Sequence, residues 1–422
     1  MAPSTIGIII MIVTLVLYAT EVIPLVATAA LSVIAMWATG LLTPAEAFSG
    51  FSNTATVLAI AAMLISLALQ ETGATTLWGD KLSWMNKLSK RWFNTLLCVI
   101  AAALSACLSS FAIIIIMMSV ADGLVAGSNG KFTRKESYMP IAFGSSIGGA
   151  ISLTGSSSIL QACAVYNDYV GYDAIGFFGP AVLAIPACFG AFIFYATFGT
   201  KLCEKWFDFE EPPMAEVVKT EQAGTGKTNT KLGISVAVFV ICAVLWAAGQ
   251  PLAIVGWGGA IVLFIAKCID PKTSLAKVEW NAIMILALSL GFAAGVNNSG
   301  AGEVIANFMI NAAGPLGKSP VAMFTIIIIL ITILTNIMTN TGSAAIVAPI
   351  ALAIANQMGV DARLWCIAVG VGANCAIFTP IGCANMTVIL PGGYRFKDFV
   401  KPGLVVCVMS TIIMAVVFAV VS

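Results

Sequence analysis

The sequence predicts an all-α polytopic membrane protein with an inverted-topology repeat, about ten transmembrane helices and two re-entrant helical hairpins. Three observations predict this fold: the apolar composition, the length and spacing of the apolar stretches, and an internal repeat. Of the 422 residues, 60% are hydrophobic and only 9% are charged, whereas a soluble domain carries about 25% charged residues. We therefore expect most of the chain to lie within the lipid bilayer.

The charge balance and the absence of histidine exclude several classes of protein. The 20 Lys and Arg nearly balance the 19 Asp and Glu, so no basic surface indicates a nucleic-acid partner. Without histidine the chain cannot build Ser-His or Cys-His nucleophiles, histidine-ligated zinc or an imidazole proton relay. We expect no enzyme activity, no catalytic residue and no cofactor. The eleven cysteines never fall in a C-x-x-C spacing, so we expect neither a structural disulfide nor a structural metal site.

Ten apolar stretches approach the roughly 20 residues that a membrane-spanning helix needs. Two longer stretches, 92–127 and 320–357, carry polar breaks at 109–110 and 339–341. Each is predicted to form either two spans or one re-entrant hairpin, and the central polar break favours a hairpin whose tip lies near the bilayer centre. The first stretch lacks the basic region and cleavage site of a signal peptide, so we expect it to be a retained span. The ten predicted spans lie near 5–19, 25–41, 55–72, 140–166, 176–199, 232–249, 252–267, 280–297, 364–391 and 402–421.

The positions of Lys and Arg predict the side of each loop, because these residues concentrate in cytoplasmic loops. The first hairpin stretch has basic residues before and after it, so we expect it to enter from the cytoplasm. Following the spans onward places both ends of the second stretch and both chain termini outside, with Lys318 and Arg363 as exceptions. We expect a multi-pass protein of the cell inner membrane. The basic loops lie at 81–91, 131–135, 201–231, 267–279 and 395–401.

An internal repeat relates the two halves of the chain. We divide the chain into a first repeat at 1–204, a cytoplasmic linker at 205–231 and a second repeat at 232–422. Since the two hairpins enter from opposite sides, the repeats have opposite topology, which together with paired broken segments is typical of secondary transporters. The matched segments are 67–82 with 293–309, 147–160 with 373–390, and Ser105 and Ser109 with Thr335 and Thr339.

The polar breaks of the hairpins carry oxygen atoms suited to a sodium ion. Thr335 and Thr339 share a helical face at i and i+4, and Asn340 adds an amide oxygen. Ser105 and Ser109 repeat this spacing in the first hairpin. The alternative is that such hydroxyls only join packed helices, as they commonly do in membranes; their recurrence at matched positions favours ion ligands. The predicted sodium ligands are Ser105, Ser109, Ser110, Gly155, Thr335, Thr339, Asn340 and Gly382.

A second pair of breaks is predicted near 154–158 and 379–385. Pro380 and Gly382 leave backbone carbonyls free, and Gly155 allows the close approach of an ion or a helix. Free carbonyls bind cations and half-helix N-termini attract anions, so one site can hold ions of both signs. Proline and glycine are also frequent in membrane helices, and this simpler explanation stays open.

Three motifs resemble the divalent anion/sodium symporter family of the wider ion transporter superfamily. They are AFSGFSNTATVLAIAAMLISLALQETGA at 47–74, TNT at 339–341, and TPIGCANMTVILPGGYRFKDFVKPG at 379–403, the most specific of the three. With the internal repeat, the resemblance covers nearly the whole chain. It implies a homodimer with a scaffold and a moving transport domain, elevator-type alternating access, and sodium-coupled symport of small anions such as di- or tricarboxylates.

The resemblance also implies residue roles at the hairpin tips. By position, Thr339, Asn340 and Thr341 match the family's second tip motif, whereas Ser110 and Phe111 stand where the first tip usually has Asn and Thr. Phe111 is expected either to narrow the substrate side of the first tip or to pack against lipid. The residues expected to contact the substrate are Ser110, Phe111, Ser156, Asn340, Thr341, Cys383 and Asn385.

The sequence favours sodium over protons as the coupling ion and leaves the anion open. The segments 92–121, 320–360 and 364–394 contain no Asp, Glu or His to carry a proton. Sulfate, other inorganic anions and monocarboxylates remain alternatives to di- and tricarboxylates, as does an arsenite-type permease or channel of the same superfamily. Asn374 is a weaker candidate for the site and fits an interhelical hydrogen bond equally well.

Overall fold

The computed structural model describes residues 1–73, 80–128, 130–211, 229–380 and 383–421, and all regular elements in these ranges are helices. Up to residue 211 the chain forms α1 (Pro3–Thr20), α2 (Leu25–Ala38), α3 (Pro44–Ala47), α4 (Thr54–Glu71), α5 (Lys90–Ser105), α6 (Ser110–Ala126), α7 (Arg134–Gly148), α8 (Ser157–Val170), α9 (Ala181–Phe194) and α10 (Thr200–Trp206). From residue 229 onward it forms α11 (Asn229–Ala247), α12 (Leu252–Ile265), α13 (Pro271–Ala276), α14 (Trp280–Ser299), α15 (Ala301–Ala312), α16 (Pro320–Thr335), α17 (Asn340–Gln357), α18 (Ala362–Asn374), α19 (Ala384–Thr387) and α20 (Phe396–Val421).

Six helices in the described residues are long and apolar enough to cross a membrane, judged by length and composition. Four further apolar helices are shorter. The predicted fold class of an all-α polytopic membrane protein is therefore confirmed. The six long segments are Pro3–Thr20, Thr54–Glu71, Ala181–Trp206, Thr230–Ala247, Trp280–Ser299 and Phe396–Val421, and the shorter ones are Leu25–Ala38, Ser110–Ala126, Leu252–Ile265 and Pro320–Thr335.

Both long apolar stretches form helical hairpins. The first hairpin joins α5 to α6 through the turn 106–109, and the second joins α16 to α17 through the turn 336–339. Helices α5 and α16 each have 16 residues, which is about 24 Å of helix and less than the roughly 30 Å hydrocarbon core. The polar residues that interrupt the two stretches therefore lie at the hairpin tips.

The two broken helices open earlier in the sequence than predicted. The first break runs over 149–156, so Ser157 and Ser158 already belong to α8, and the second begins after Asn374 rather than near 379. Gly148, the last residue of α7, allows close packing on α5, because a Cβ atom there would lie 2.4 Å from the Cα of Ala102. The chain at this point lies directly against the first hairpin, and there it stops being helical.

The hairpins pack against the broken helices to form one helical unit. Helix α5 lies along α7, α17 and α8 both lie along α18, and α9 lies along α20. Helices α4 and α12, together with α14 and α2, pack around the outside of this unit. The α5–α7 contact is close because Gly144 has no side chain: a Cβ atom there would lie 2.1 Å from the carbonyl oxygen of Cys98.

We predict that Gly144→Ala lowers thermal stability, because its methyl group would force α5 and α7 apart at a cost of about 1–3 kcal/mol. Gly123→Ala is the matched control, since a Cβ atom at Gly123 in α6 meets no atom of the described residues within 4 Å. The unfolding midpoint of each variant in detergent tests this. Equal midpoints for the two variants would contradict the proposed close contact.

Candidate functional site

Four oxygen atoms converge at the tip of the first hairpin. The Ser105 and Ser110 hydroxyl oxygens lie 2.6 Å apart, and Ser110 Oγ also lies 3.1 Å from the carbonyl oxygen of Ser145 and 3.3 Å from that of Gly155. Ser105 and Ser110 are buried. All four oxygens are neutral and hard, which is the ligand type that a small alkali or alkaline-earth cation prefers.

Two glycines make room for this oxygen cluster, because neither has a side chain. A Cβ atom at Gly149 would lie 2.2 Å from Ser110 Oγ and 3.3 Å from Ser105 Oγ, and one at Gly155 would lie 2.6 Å from the carbonyl oxygen of Ser105. The predicted residue Gly155 therefore contributes its carbonyl and its lack of a side chain. The sequence prediction missed Gly149, although its pairing with Gly148 at the start of a break was a usable signal.

The second hairpin forms a related cluster. The Thr335 hydroxyl lies 2.9 Å from both the Asn340 side-chain oxygen and the Ala373 carbonyl oxygen. The Asn340 amide nitrogen in turn lies 3.8 Å from the Cys383 sulfur. Two of the predicted ligands, Thr335 and Asn340, are thus brought together, and the Ala373 carbonyl is an addition that the sequence prediction missed.

Not every predicted ligand joins these clusters. The Thr339 hydroxyl caps α17 by accepting a hydrogen bond from the Gly342 amide at 3.3 Å. Ser109 occupies the corresponding N-cap of α6, where its side chain makes no capping bond. Gly382 lies outside the described residues, so its predicted role stays a prediction.

Side chains of the two repeats meet between the clusters. The Ser157 and Thr341 hydroxyl oxygens lie 3.0 Å apart, although the residues are 184 positions apart in sequence. The Asn374 amide donates to Ser158 Oγ at 3.0 Å, and the Ser146 hydroxyl donates to the carbonyl oxygen of Asn374, also at 3.0 Å. Both broken helices therefore meet at one place, and Asn374 makes the interhelical bond that was one of its two expected roles.

A small cleft of about 30 Å³ opens beside this meeting point. Thr154, Ser156 and Ser157 supply its polar wall, and small or apolar side chains of α4 and α14 form the opposite wall. No charged residue lines the cleft in the described part of the chain. The lining residues are Ala59, Ala62, Met63, Leu153, Thr154, Ser156, Ser157, Leu160, Ala282, Ile283 and Leu286.

Of the predicted substrate residues, only Ser156 is among the residues that line the cleft in the described part of the chain. Phe111 follows Ser110 at the first tip and is 44% exposed, so a bound molecule or lipid can reach its ring. Cys383 is buried against Asn340 and Ser146, and Asn385 is half-buried in α19. Their contacts with a substrate stay predictions.

Paired hairpins whose tips meet two broken helices define a class of secondary membrane transporters. The sequence matches the family described as citrate transporter over residues 15–370, and the chain belongs to this family. This family lies within the superfamily that the sequence motifs resemble, so the predicted resemblance is confirmed, and the chain is a transporter and not an enzyme.

Individual relatives are distant. The sodium-dependent dicarboxylate transporter SdcS of Staphylococcus saprophyticus is 22% identical to this chain. The alignment covers 94% of this chain and 82% of the relative. An uncharacterised transporter of Methanocaldococcus jannaschii is 23% identical over 73% of this chain and 68% of its own length. An uncharacterised transporter of Synechocystis sp. is 28% identical, but the match covers 42% of this chain and only 29% of that relative.

Two solved structures share the fold. The YdaH transporter of Alcanivorax borkumensis superimposes with a TM-score of 0.62 and 11% identity, covering 89% of this chain and 88% of that protein. MtrF of Neisseria gonorrhoeae, described with a class of antimetabolite efflux pumps, gives a TM-score of 0.57 and 15% identity over 100% of this chain and 95% of that protein. At these identities the likeness concerns the fold alone.

We predict that Gly149→Ala abolishes transport, because its methyl group would displace the Ser110 hydroxyl that holds the first cluster together. Gly176→Ala is the control, since a Cβ atom at Gly176 meets nothing within 4 Å in the part of the chain that the structure describes. The measurement is uptake of radiolabelled citrate or succinate into proteoliposomes, with both variants compared at equal amounts of folded protein. Wild-type uptake by Gly149→Ala would show that this cluster is not required.

Proposed function

We propose that the protein is a sodium-coupled symporter of small anions, with di- and tricarboxylates as the favoured substrates. The observation that carries the proposal is the presence of two related clusters of neutral oxygens, one at each hairpin tip, in segments without charged side chains. Ser105, Ser110 and the Gly155 carbonyl form the first cluster, and Thr335 and Asn340 form the second. We assign sodium binding to both.

The chemistry of the clusters favours sodium over protons. Hydroxyl, amide and carbonyl oxygens can replace the hydration shell of sodium without changing their own protonation. The nearest acid on the first hairpin, Asp122, accepts a hydrogen bond from the Tyr138 hydroxyl at 2.5 Å and lies three turns of α6 beyond the tip. It is therefore poorly placed to carry a proton past the clusters.

The surroundings of the cleft favour an anionic substrate. Helices α6, α8 and α17 begin at Ser110, Ser157 and Asn340, and the N-terminus of a helix carries a partial positive charge. Bound sodium ions would add full positive charges close by. The relative SdcS is named a sodium-dependent dicarboxylate transporter, which supports both the substrate class and the coupling ion. Phe111, Thr341, Cys383 and Asn385 are assigned to the substrate side of this site.

An elevator-type movement fits the arrangement of the helices. Leu153 and Leu160 line the main cleft and also a smaller cavity between α4, α8 and α12, so they separate the two spaces. At the far end of the smaller cavity, the Asn53 amide donates to Asp168 Oδ1 at 3.2 Å and joins α4 to α8. We assign α4 to a static scaffold, through which two copies form a homodimer in the inner membrane, and α8 to the moving unit.

We predict that an inward sodium gradient drives uptake of citrate or succinate into proteoliposomes and that a proton gradient alone does not. Thr335→Val should reduce sodium-driven uptake about tenfold or more, because it removes the hydroxyl that joins Asn340 to the Ala373 carbonyl. Thr325→Val is the matched control on the same helix, since among the described residues the Thr325 hydroxyl bonds only to the Val321 carbonyl of its own helix.

Two results would contradict the assignment. One is uptake driven by protons without sodium, and the other is an unchanged sodium dependence in Thr335→Val or Asn340→Ala. Downhill flux that saturates with neither sodium nor anion would indicate a channel instead.

We further predict that cross-linking the pair Asn53→Cys and Asp168→Cys stops transport, because the link would tie the scaffold to the moving unit. The control pair is Tyr166→Cys and Asp361→Cys, whose parent side chains lie 3.4 Å apart within the moving unit. Uptake before and after treatment with a short thiol cross-linker, and again after its reduction, tests this. Transport that continues in the cross-linked Asn53 and Asp168 pair would rule out relative movement of α4 and α8.

A further inference from the structure

Asn336 is the first residue of the second hairpin turn, and its side chain makes four hydrogen bonds. Its amide nitrogen donates to the carbonyl oxygens of Thr332 at 2.7 Å and Cys375 at 3.3 Å. Its side-chain oxygen accepts from the backbone amides of Phe378 and Thr379, both at 3.1 Å. The residue is 1% exposed, so water does not supply these bonds.

Three of these four bonds go to the second break. The segment that follows α18 has lost its helical hydrogen bonds, and unpaired backbone groups in an apolar interior are costly. Asn336 pairs with the Cys375 carbonyl and with the amides of Phe378 and Thr379. In addition, the Thr379 hydroxyl donates a hydrogen bond to the backbone carbonyl oxygen of Asn336 at 2.5 Å. Asn336 therefore bonds to the break through both its side chain and its backbone carbonyl.

This fastening lies next to the second oxygen cluster. Thr335, which joins the cluster from the hairpin, directly precedes Asn336, and the Ala373 carbonyl, which joins it from the broken helix, lies two residues before Cys375. Asn336 is bonded covalently to Thr335 and hydrogen-bonds to Cys375. It therefore helps to fix the distance between the Thr335 hydroxyl and the Ala373 carbonyl oxygen. Groups that orient ion ligands from behind typically change ion affinity when they are removed.

The first repeat has only half of this arrangement. The Ser152 hydroxyl donates to the Ala106 carbonyl at 2.5 Å, which repeats the bond from the Thr379 hydroxyl to the Asn336 carbonyl. Ala106 corresponds to Asn336 but has no polar side chain. At these corresponding positions, the first break bonds to its hairpin through the Ser152 hydroxyl, whereas the second bonds through both the Thr379 hydroxyl and the Asn336 side-chain amide.

We infer that Asn336 is a positioning residue that holds the second break in its ion-binding shape before an ion arrives. This inference rests on the proposed function, since it assumes that the cluster of Thr335 and Asn340 binds sodium. Its consequence is that the second site is preorganised, and that removing the Asn336 amide weakens sodium binding without removing any ligand.

The test compares Asn336→Ala with Thr379→Val and with a matched control, Thr332→Val. Thr379→Val removes one bond of the same fastening at nearly constant volume and is the milder variant if Asn336→Ala folds poorly. Thr332 lies one turn before Asn336 on α16, and its buried hydroxyl has no hydrogen-bond partner among the residues that the structure describes. The control therefore changes the same region without loosening the break.

Two measurements are made on purified full-length protein. The first is the sodium concentration for half-maximal thermal stabilisation, with potassium chloride holding ionic strength constant. The second is amide hydrogen exchange of a peptide covering 375–380. We expect Asn336→Ala to raise the half-maximal sodium concentration about tenfold, since two or more net hydrogen bonds are lost, and to speed exchange in this peptide. Thr379→Val should shift both in the same direction by less, and Thr332→Val should match wild type.

The possible failures are distinguishable. If wild type responds to sodium but Asn336→Ala and Thr379→Val keep its half-maximal concentration, the inference is overturned and the proposed function stands; this holds even if exchange becomes faster, because the role would then be structural only. If wild type shows no response to sodium in this assay and in uptake, the proposed coupling is wrong, and the inference is overturned with it.

Discussion

The need to pair backbone groups inside an apolar molecule governs this structure. Segments 149–156 and 375–380 leave the helical path in a chain that is 60% hydrophobic, where each unpaired amide or carbonyl would be costly. Side chains of the hairpin turns and of the breaks supply the missing bonds, through Ser152 to Ala106 and through Asn336 to the second break. A hairpin and its break therefore stabilise each other, and neither is expected to keep its shape alone.

The same requirement explains why the centre of the molecule is polar yet uncharged. Hydroxyl and amide groups can pair with backbone atoms in low dielectric surroundings, whereas an unpaired charge would be far more costly there. Carbonyl oxygens such as those of Gly155 and Ala373 then remain close to side-chain oxygens. Because such a centre carries no charged side chain, any selection among ions there depends on the geometry of its oxygen atoms. Neutral ligands of this kind would suit a site that must both bind and release an ion.

Sequence patterns predicted the parts of this structure that depend on neighbouring residues. The length of the apolar stretches and their central polar breaks predicted the helices and the hairpins. The matched spacing pointed to Ser105 and Thr335, but their partners in the structure are Ser110 and Asn340, five residues on, rather than Ser109 and Thr339. The start of each break and the roles of Ser146 and Asn336 were missed, because they depend on distant partners: Ser146 bonds to a residue 228 positions away. Periodicity carries no information about such pairs.

The hydroxyl contact between Ser157 and Thr341 has a consequence for how such a protein arises. Each cluster draws its own ligands from one repeat, but the place where the broken helices meet needs both. An ancestral chain with a single repeat would have had to assemble from two copies inserted in opposite orientations. Gene duplication and fusion would then have fixed the pairing and freed each half to diverge, as Ala106 and Asn336 have done.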